Sequence, residues 1–117
     1  MENAPETLTI MTRPLVSELL IEAPDYYDLV AAFVDELPGL IQDLQKLHDV
    51  EDWDTMSEKI HDLKGLGGGY GYPQISEVAT TIESGLLDQQ HALIAVQLEK
   101  LVQLLDRIQL GLASVAR

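Results

Sequence analysis

The stretch EKIHDLKGLGGGYG, residues 58–71, contains five of the eight glycines of the chain and follows a run of apolar residues at helical spacing. The apolar residues that lead into it recur at steps of three and four, the spacing that places side chains on one face of a helix. They are Val50, Trp53, Met56, Ile60 and Leu63. His61 lies one position, roughly 100° of helix rotation, beyond this stripe. The sequence therefore predicts a helix that carries an exposed histidine beside its buried face.

The same steps of three and four lead from His61 to Lys64, Gly65 and Gly68, so the histidine borders a strip of helix without side chains. Glycine inside a helix costs about 0.8–1 kcal/mol relative to alanine, so this strip needs either a helix end or a close approach. Residues 69–73 predict the helix end, because glycine favours left-handed caps and proline favours the first turn of the next helix. A helix end does not explain Gly65 and Gly68, which we interpret as a docking surface for the active site of another protein.

Five residues of the stretch follow the pattern H-x-x-K-G-x-x-G-x-x-G. They are His61, Lys64, Gly65, Gly68 and Gly71. This pattern resembles the motif of histidine-containing phosphotransfer (HPt) domains, the helical bundles that shuttle phosphoryl groups in multistep two-component signalling. The resemblance implies that His61 is phosphorylated and that the three motif glycines form the docking surface.

The resemblance to HPt domains covers residues 15–112, including residues 34–44 before the motif and the pairs at 52–53 and 82–83. The bulky Leu66 is a departure, since the family usually has a small residue there. The resemblance implies two kinds of partner, the receiver domains of response regulators and a hybrid sensor kinase. It also implies that the receiver brings the aspartate and Mg²⁺, so that the chain carries phosphate without a cofactor or a kinase activity of its own.

The residues around His61 have predicted roles in this chemistry. An imidazole accepts a phosphoryl group when its attacking nitrogen is neutral and accessible, which an exposed helix position provides near physiological pH. Lys64, one turn further on, adds a positive charge for the phosphate oxygens. His61 and Glu83 each lie eleven residues from Tyr72, the centre of the predicted turn, so Glu83 is a candidate acceptor for the Nδ1 proton. The alternative is that Glu83 is an ordinary solvated glutamate.

Other classes of function fit the sequence less well. Glu58-x-x-His61 has the spacing of di-iron carboxylate ligands and Asp88-x-x-His91 weakly repeats it, but such sites need inward-facing ligands and further core glutamates. The glycines match neither of the phosphate-binding glycine motifs of kinases and ATPases. A non-catalytic helical adaptor, whose glycine segment is only a loop, stays open. The other histidines, His48 and His91, lie at predicted helix ends, and we predict structural roles for them.

Composition narrows the possible partners and the compartment. Twenty acidic and seven basic residues give a net charge of −13, which argues against nucleic acid and anionic membranes as partners. The chain has no cysteine, so it has neither a disulfide nor a thiolate metal site, and we expect no metal site of any kind. The acidic N-terminus does not resemble a signal peptide, and no apolar run approaches the length of a membrane span. We therefore expect a cytoplasmic protein.

Four long helical patterns and no strand pattern predict an all-α fold, an antiparallel up-and-down four-helix bundle with a short additional N-terminal helix. In the first long helix, residues 25–48, Pro38 is expected to produce a kink and not an end, because the apolar stripe continues through it; two shorter helices are the alternative. The last helix has a heptad-like seam over residues 94–112.

The domain organisation follows from where this periodicity begins. Residues 1–13 are polar, show no sustained period and are expected to form a flexible arm, followed by an HPt-like bundle over residues 14–117. The first apolar turns, near residues 15–20, are too short to be stable alone and are expected to pack over one end of the bundle. A heptad seam also occurs in coiled-coil dimers, but the short loops favour packing within one chain, so we expect a monomer.

Overall fold

The structure is a computed structural model of the chain and describes residues 13–115. The predicted all-α fold, with four long helices and a short N-terminal one, is confirmed, and the described residues contain no strand. The elements in chain order are α1 (Glu18–Glu22), a 3₁₀ turn (Pro24–Tyr26), α2 (Tyr27–Asp49), α3 (Trp53–Gly69), α4 (Pro73–Leu87) and α5 (His91–Ser114). The predicted arm over residues 1–13 lies, except for its last residue, outside the described part of the chain.

The four long helices enclose one apolar core. Helix α3 packs against α2 and α4, and α5 packs against α2 and α4, so each long helix has two neighbours. The most deeply buried aliphatic side chains come from all four helices and repeat at helical spacing. They are Val30, Leu44, Met56, Ile60, Ile75, Ala79, Ile82, Ile94 and Ile108. The core therefore fixes the rotation of each helix, including the face of α3 that points to solvent.

Helix α2 continues through Pro38 as one helix, so the alternative of two shorter helices is wrong. A proline inside a helix costs roughly 3 kcal/mol or more, because it removes one hydrogen bond and its ring crowds the preceding turn. Leu37 and Ile41, on either side of Pro38, are both buried in the core. Burial of a leucine or isoleucine is worth about 1.5–3 kcal/mol, so these side chains offset the cost of the proline.

The segment before α1 is attached to one end of the bundle by hydrogen bonds to the backbone. The Leu15 amide donates to the Arg107 carbonyl oxygen (2.9 Å), and Arg107 Nε donates to the Arg13 carbonyl oxygen (3.0 Å). The buried Ser17 hydroxyl donates to the Tyr70 carbonyl oxygen (2.7 Å). These bonds hold α1 over the turn between α3 and α4. The helix has only five residues, and its packing over one end of the bundle agrees with the prediction for a helix too short to be stable alone.

Two tyrosines of that turn pack into the bundle. The Tyr70 ring stacks on Phe33 of α2, with 4.6 Å between ring centroids. Tyr72 is fully buried, and burial raises the pKa of its hydroxyl to about 12. The turn between α3 and α4 is therefore part of the core.

The opposite end of the bundle is closed by an aromatic cluster, Trp53 with His48 and His91. The Trp53 and His91 rings stack with 4.2 Å between centroids, and His48 meets the indole edge-on at 5.4 Å. His48 Nε2 also lies 3.3 Å from the His91 carbonyl oxygen. The cluster joins the end of α2 to the starts of α3 and α5, so it gives both histidines a structural role.

Candidate functional site

Helix α3 presents His61 to solvent because its capping and its core residues fix its rotation. Asp52 is the N-cap, with Oδ1 accepting from the Thr55 amide (3.2 Å) and Oδ2 accepting from the Thr55 hydroxyl (2.8 Å). Ile60 is fully buried, whereas the side chain of the next residue, His61, is 77% exposed. The imidazole is thus open to solvent on the border of a helix that the core holds in place.

Helix α4 places Glu83 between His61 and Lys64. Glu83 Oε2 lies 3.4 Å from His61 Nδ1, and Glu83 Oε1 accepts from Lys64 Nζ at 3.0 Å. The first distance exceeds the usual range of about 2.7–3.2 Å, a looseness that is common at catalytic groups before their substrate binds. The other ring nitrogen, Nε2, has no hydrogen-bond partner among residues 13–115. The predicted proximity of Glu83 to His61 is therefore present in the structure.

The charges around Glu83 keep its carboxylate ionised. The hydrogen bond from Lys64 is the largest influence that lowers the pKa of Glu83, partial burial opposes it, and the hydrogen bond with His61 adds to the lowering. A carboxyl group with a lowered pKa contributes stability above its ordinary pKa and loses it as the pH falls through the lowered value. The contact between Glu83 and Lys64 is therefore intact at neutral pH.

The position of Lys64 adds a contact that the sequence pattern did not reveal. The sequence predicts a lysine beside a phosphate, but in this structure its ammonium group is paired with Glu83. The two helices bring these side chains together from 19 residues apart, whereas the motif covers α3 alone. The only sequence signal is the symmetric placement of His61 and Glu83 about Tyr72, which predicts a contact of Glu83 with His61 and none with Lys64.

The glycines of the motif have different surroundings. Gly65 is exposed, and a Cβ at this position would meet nothing within 4 Å. Gly68 is exposed as well, but a Cβ there would lie 3.3 Å from Ser76 Oγ of α4. Gly67, which is not in the motif, is buried, and a Cβ there would lie only 2.7 Å from Ile75. Gly65 therefore offers open surface, while the absence of side chains at Gly67 and Gly68 lets α4 pack closely against α3.

Gly71 does not belong to the docking surface, and that prediction is corrected. Gly71 is buried and has a φ of +88°, a left-handed conformation that favours glycine. Its carbonyl oxygen accepts from the Glu18 amide at 2.8 Å, and a Cβ would collide with the backbone of Glu18 and Leu19. The third glycine of the motif therefore serves the turn and the attachment of α1.

The surfaces on either side of His61 differ in polarity. Towards α2 lies a hollow of about 140 Å³, with an apolar floor and two charged residues at its rim. It is lined by Leu40, Leu44, Leu63, Leu66, Lys59 and Asp62. Leu66, which departs from the family pattern, is 40% exposed at this hollow. Towards α4 lies an open groove that includes Glu58 and Glu83. The two flanks of His61 are therefore apolar on one side and acidic on the other.

The arrangement does not favour a di-iron site. Glu58 and His61 both lie on the exposed side of α3, whereas the ligands of such a site point into the bundle. Residues 13–115 contain no cluster of three or more His, Cys, Asp or Glu side chains suited to a metal ion. The exposed position of the two residues is the physical objection, since solvent-facing side chains cannot converge on a buried metal.

Comparison with known families agrees with the site. The family model described as Hpt domain matches residues 28–111, which contain every residue of the candidate site. The chain belongs to the Hpt domain family. No curated protein and no solved structure matches it. Hpt domains carry out histidine phosphotransfer in phosphorelays, interact with receiver domains and kinases, and in general have no kinase activity of their own.

Within residues 13–115 no helix combines the length and the apolar character needed to cross a membrane.

Proposed function

We propose that the chain is the phosphotransfer protein of a multistep two-component phosphorelay, with His61 as the residue that carries the phosphoryl group. The group passes through His61 between the aspartates of two receiver domains, one in a hybrid sensor kinase and one in a response regulator. The observation that carries this proposal is the exposed imidazole of His61 with Nδ1 facing Glu83. We place this exchange in the cytoplasm and expect the chain to act as a monomer.

The chemistry uses the two ring nitrogens in different roles. The lone pair of Nε2 attacks the phosphorus of the aspartyl phosphate, an N–P bond forms, the bond from phosphorus to the aspartyl oxygen breaks, and the aspartate leaves as a carboxylate. The ring keeps its Nδ1 proton and becomes positively charged. The Glu83 carboxylate, 3.4 Å from Nδ1, lies where it stabilises that charge. The receiver supplies Mg²⁺ for the phosphate oxygens, and the reverse reaction returns the group to an aspartate.

Lys64 is proposed to exchange Glu83 for the phosphoryl group during transfer. Its side chain is 43% exposed, and ion pairs near the surface are worth about 0.2–1 kcal/mol, so a phosphoryl group one turn away competes with Glu83 for the ammonium group. The charge attracts the phosphate oxygens without taking part in bond formation.

The Lys64→Ala variant should therefore weaken formation or shorten the lifetime of phosphohistidine several-fold without abolishing it. Lys64→Arg should retain most of the function, since it keeps the charge. Raising the salt concentration should reduce the advantage of the wild type, because exposed charges are screened. The measurement is the rate of transfer and the half-life of labelled protein at low and high salt. Equal values for wild type and Lys64→Ala under both conditions would remove Lys64 from the site.

Gly65 is proposed to provide the surface on which the receiver docks. The Gly65→Ala variant should be as stable as wild type or more stable by up to about 1 kcal/mol, because alanine favours the helix and the added methyl group meets nothing. Transfer from a receiver should slow, because the methyl group stands in the approach path.

Gly39 in α2 is the matched control for Gly65. It is also a helical glycine with nothing within 4 Å of an added Cβ, but it lies outside the motif. Gly39→Ala should change the stability in the same direction and leave the transfer rate unchanged. If the two variants transfer at the same rate, the docking surface does not include Gly65.

The direct test of the function is transfer from a receiver. The purified chain is incubated with a panel of labelled, phosphorylated receiver domains and Mg²⁺, and the modified residue is mapped. The expected product is an acid-labile phosphoryl group on His61. Binding of receivers without any transfer would favour the helical adaptor, and label on another residue would contradict the proposed site.

A further inference from the structure

Two side chains of α4 bind Lys64, one at its backbone carbonyl and one at its ammonium group. The Ser76 hydroxyl donates to the backbone carbonyl oxygen of Lys64 at 2.6 Å, while Glu83 accepts from the ammonium group at 3.0 Å. The carbonyl has two lone pairs, so it accepts this bond in addition to the bond within its own helix. The cation beside His61 is thus fixed to α4 through its backbone as well as through its side chain.

The hydroxyl of Ser76 differs from its neighbours in α4. Hydroxyl groups inside helices commonly bond to the carbonyl one turn back. Thr80 and Thr81 do so, donating to the Ser76 and Glu77 carbonyl oxygens at 2.8 Å and 3.2 Å. Ser76 instead reaches across to α3. Its bond therefore links two helices, whereas the threonine bonds stay within one.

Missing side chains on α3 make this link possible. A Cβ on Gly67 would lie 2.7 Å from Ile75 Cβ and 3.3 Å from the Ser76 amide nitrogen, so α4 occupies the place of a side chain. A Cβ on Gly68 would crowd the Ser76 hydroxyl at 3.3 Å. The two glycines let α4 approach until the hydroxyl reaches the Lys64 carbonyl.

Ser76 lies two helical turns from Glu83. Glu83 follows Ser76 by seven residues, about 10 Å along α4 at a rise of about 1.5 Å per residue. Helical side chains lean towards the N-terminus of their helix, so Lys64 extends from the level of Ser76 towards His61 and Glu83. The His61–Glu83 contact is already long at 3.4 Å, and a small increase in the helix separation would break it.

We propose that Ser76 is a positioning residue of the site, whose hydroxyl holds the backbone of α3 against α4 and thereby keeps Glu83 within reach of His61 and Lys64. The effect on phosphotransfer rests on the proposed function, but the effect on the local geometry does not. Ser76 touches neither the phosphoryl group nor the reacting nitrogen, so it acts only through Lys64 and Glu83.

The test compares Ser76→Ala with Thr80→Ala, which removes an exposed hydroxyl that bonds only within α4. Two readouts need no partner: the pKa of Glu83 followed by carboxyl ¹³C NMR, and the ratio of the Nδ1–H and Nε2–H tautomers of His61 followed by ¹⁵N NMR. Ser76→Ala should raise the pKa of Glu83 towards its ordinary value and reduce the share of the Nδ1–H form. Thr80→Ala should change neither.

A second pair of variants distinguishes the effect of the lost hydroxyl bond from a general loss of folding in Ser76→Ala. Gly68→Ala keeps the Ser76 hydroxyl but crowds it, so it should shift both readouts in the same direction as Ser76→Ala. Ser76→Thr keeps the hydroxyl, so its two NMR readouts should lie closer to those of the wild type than the readouts of Ser76→Ala do. Unchanged readouts in Ser76→Ala, or equal changes in Thr80→Ala, would overturn the proposal.

The rate of transfer from a phosphorylated receiver tests separately whether Ser76 affects phosphotransfer. Ser76→Ala should slow it several-fold if His61 carries phosphate. A wild-type chain that accepts no phosphate would contradict the proposed function, while the two NMR readouts would still decide the role of Ser76.

Discussion

The His61→Gln variant is expected to fold like wild type and to accept no phosphoryl group from any receiver domain. Glutamine has no nucleophilic ring nitrogen, so the N–P bond cannot form. The His61 side chain is 77% exposed and contributes little to the core, so its replacement should leave the melting temperature nearly unchanged. The measurements are labelling from a phosphorylated receiver and thermal unfolding followed by circular dichroism.

His91→Gln is the control for this result. His91 is also exposed, but it stacks on Trp53 at the start of α3, eight residues before His61, so its loss should leave labelling intact. Label that persists on His61→Gln would show that another residue carries the phosphoryl group. Unfolding of His61→Gln would show that the imidazole has a structural role that its exposure does not reveal.

The Gly71→Ala variant is expected to lose about 2–5 kcal/mol of folding free energy. The left-handed conformation at φ +88° costs a residue with a Cβ about 1–2 kcal/mol. The added methyl group would also collide with the start of α1, and overpacking of this kind costs about 1–3 kcal/mol. Chemical denaturation measures the loss, and Gly39→Ala, which should gain up to about 1 kcal/mol, is the control.

Phosphotransfer distinguishes this explanation of Gly71 from the one that the motif implied. If Gly71 supports the turn, transfer per folded molecule should stay close to wild type in Gly71→Ala. A variant that keeps its stability but transfers slowly would instead place Gly71 on the docking surface.

The helices and the exposure of His61 were predictable because they depend on local periodicity. Every third or fourth residue of a helix shares a face, so the stripe that ends in Ile60 and Leu63 identifies its buried side and leaves His61 beside it. A separate apolar stripe in α2 continues through Pro38, where a propensity argument alone allows two helices. The position of Glu83 opposite His61 followed from the symmetry of a tight turn. The chemical roles of His61, Lys64 and Glu83 remain predictions.

Local periodicity is enough to predict an all-helical chain with an exposed histidine beside a row of glycines. The role of each glycine depends instead on the residues that the tertiary fold places next to it. The absence of a side chain leaves open surface at Gly65, lets α4 approach at Gly67 and permits a left-handed turn at Gly71. The three glycines differ because different residues lie next to them. Those neighbours, such as Ile75 and the start of α1, are brought there by long-range packing. The bonds from Ser76 and Glu83 to Lys64 depend on the distance between two helices, which side-chain volumes across the whole core determine.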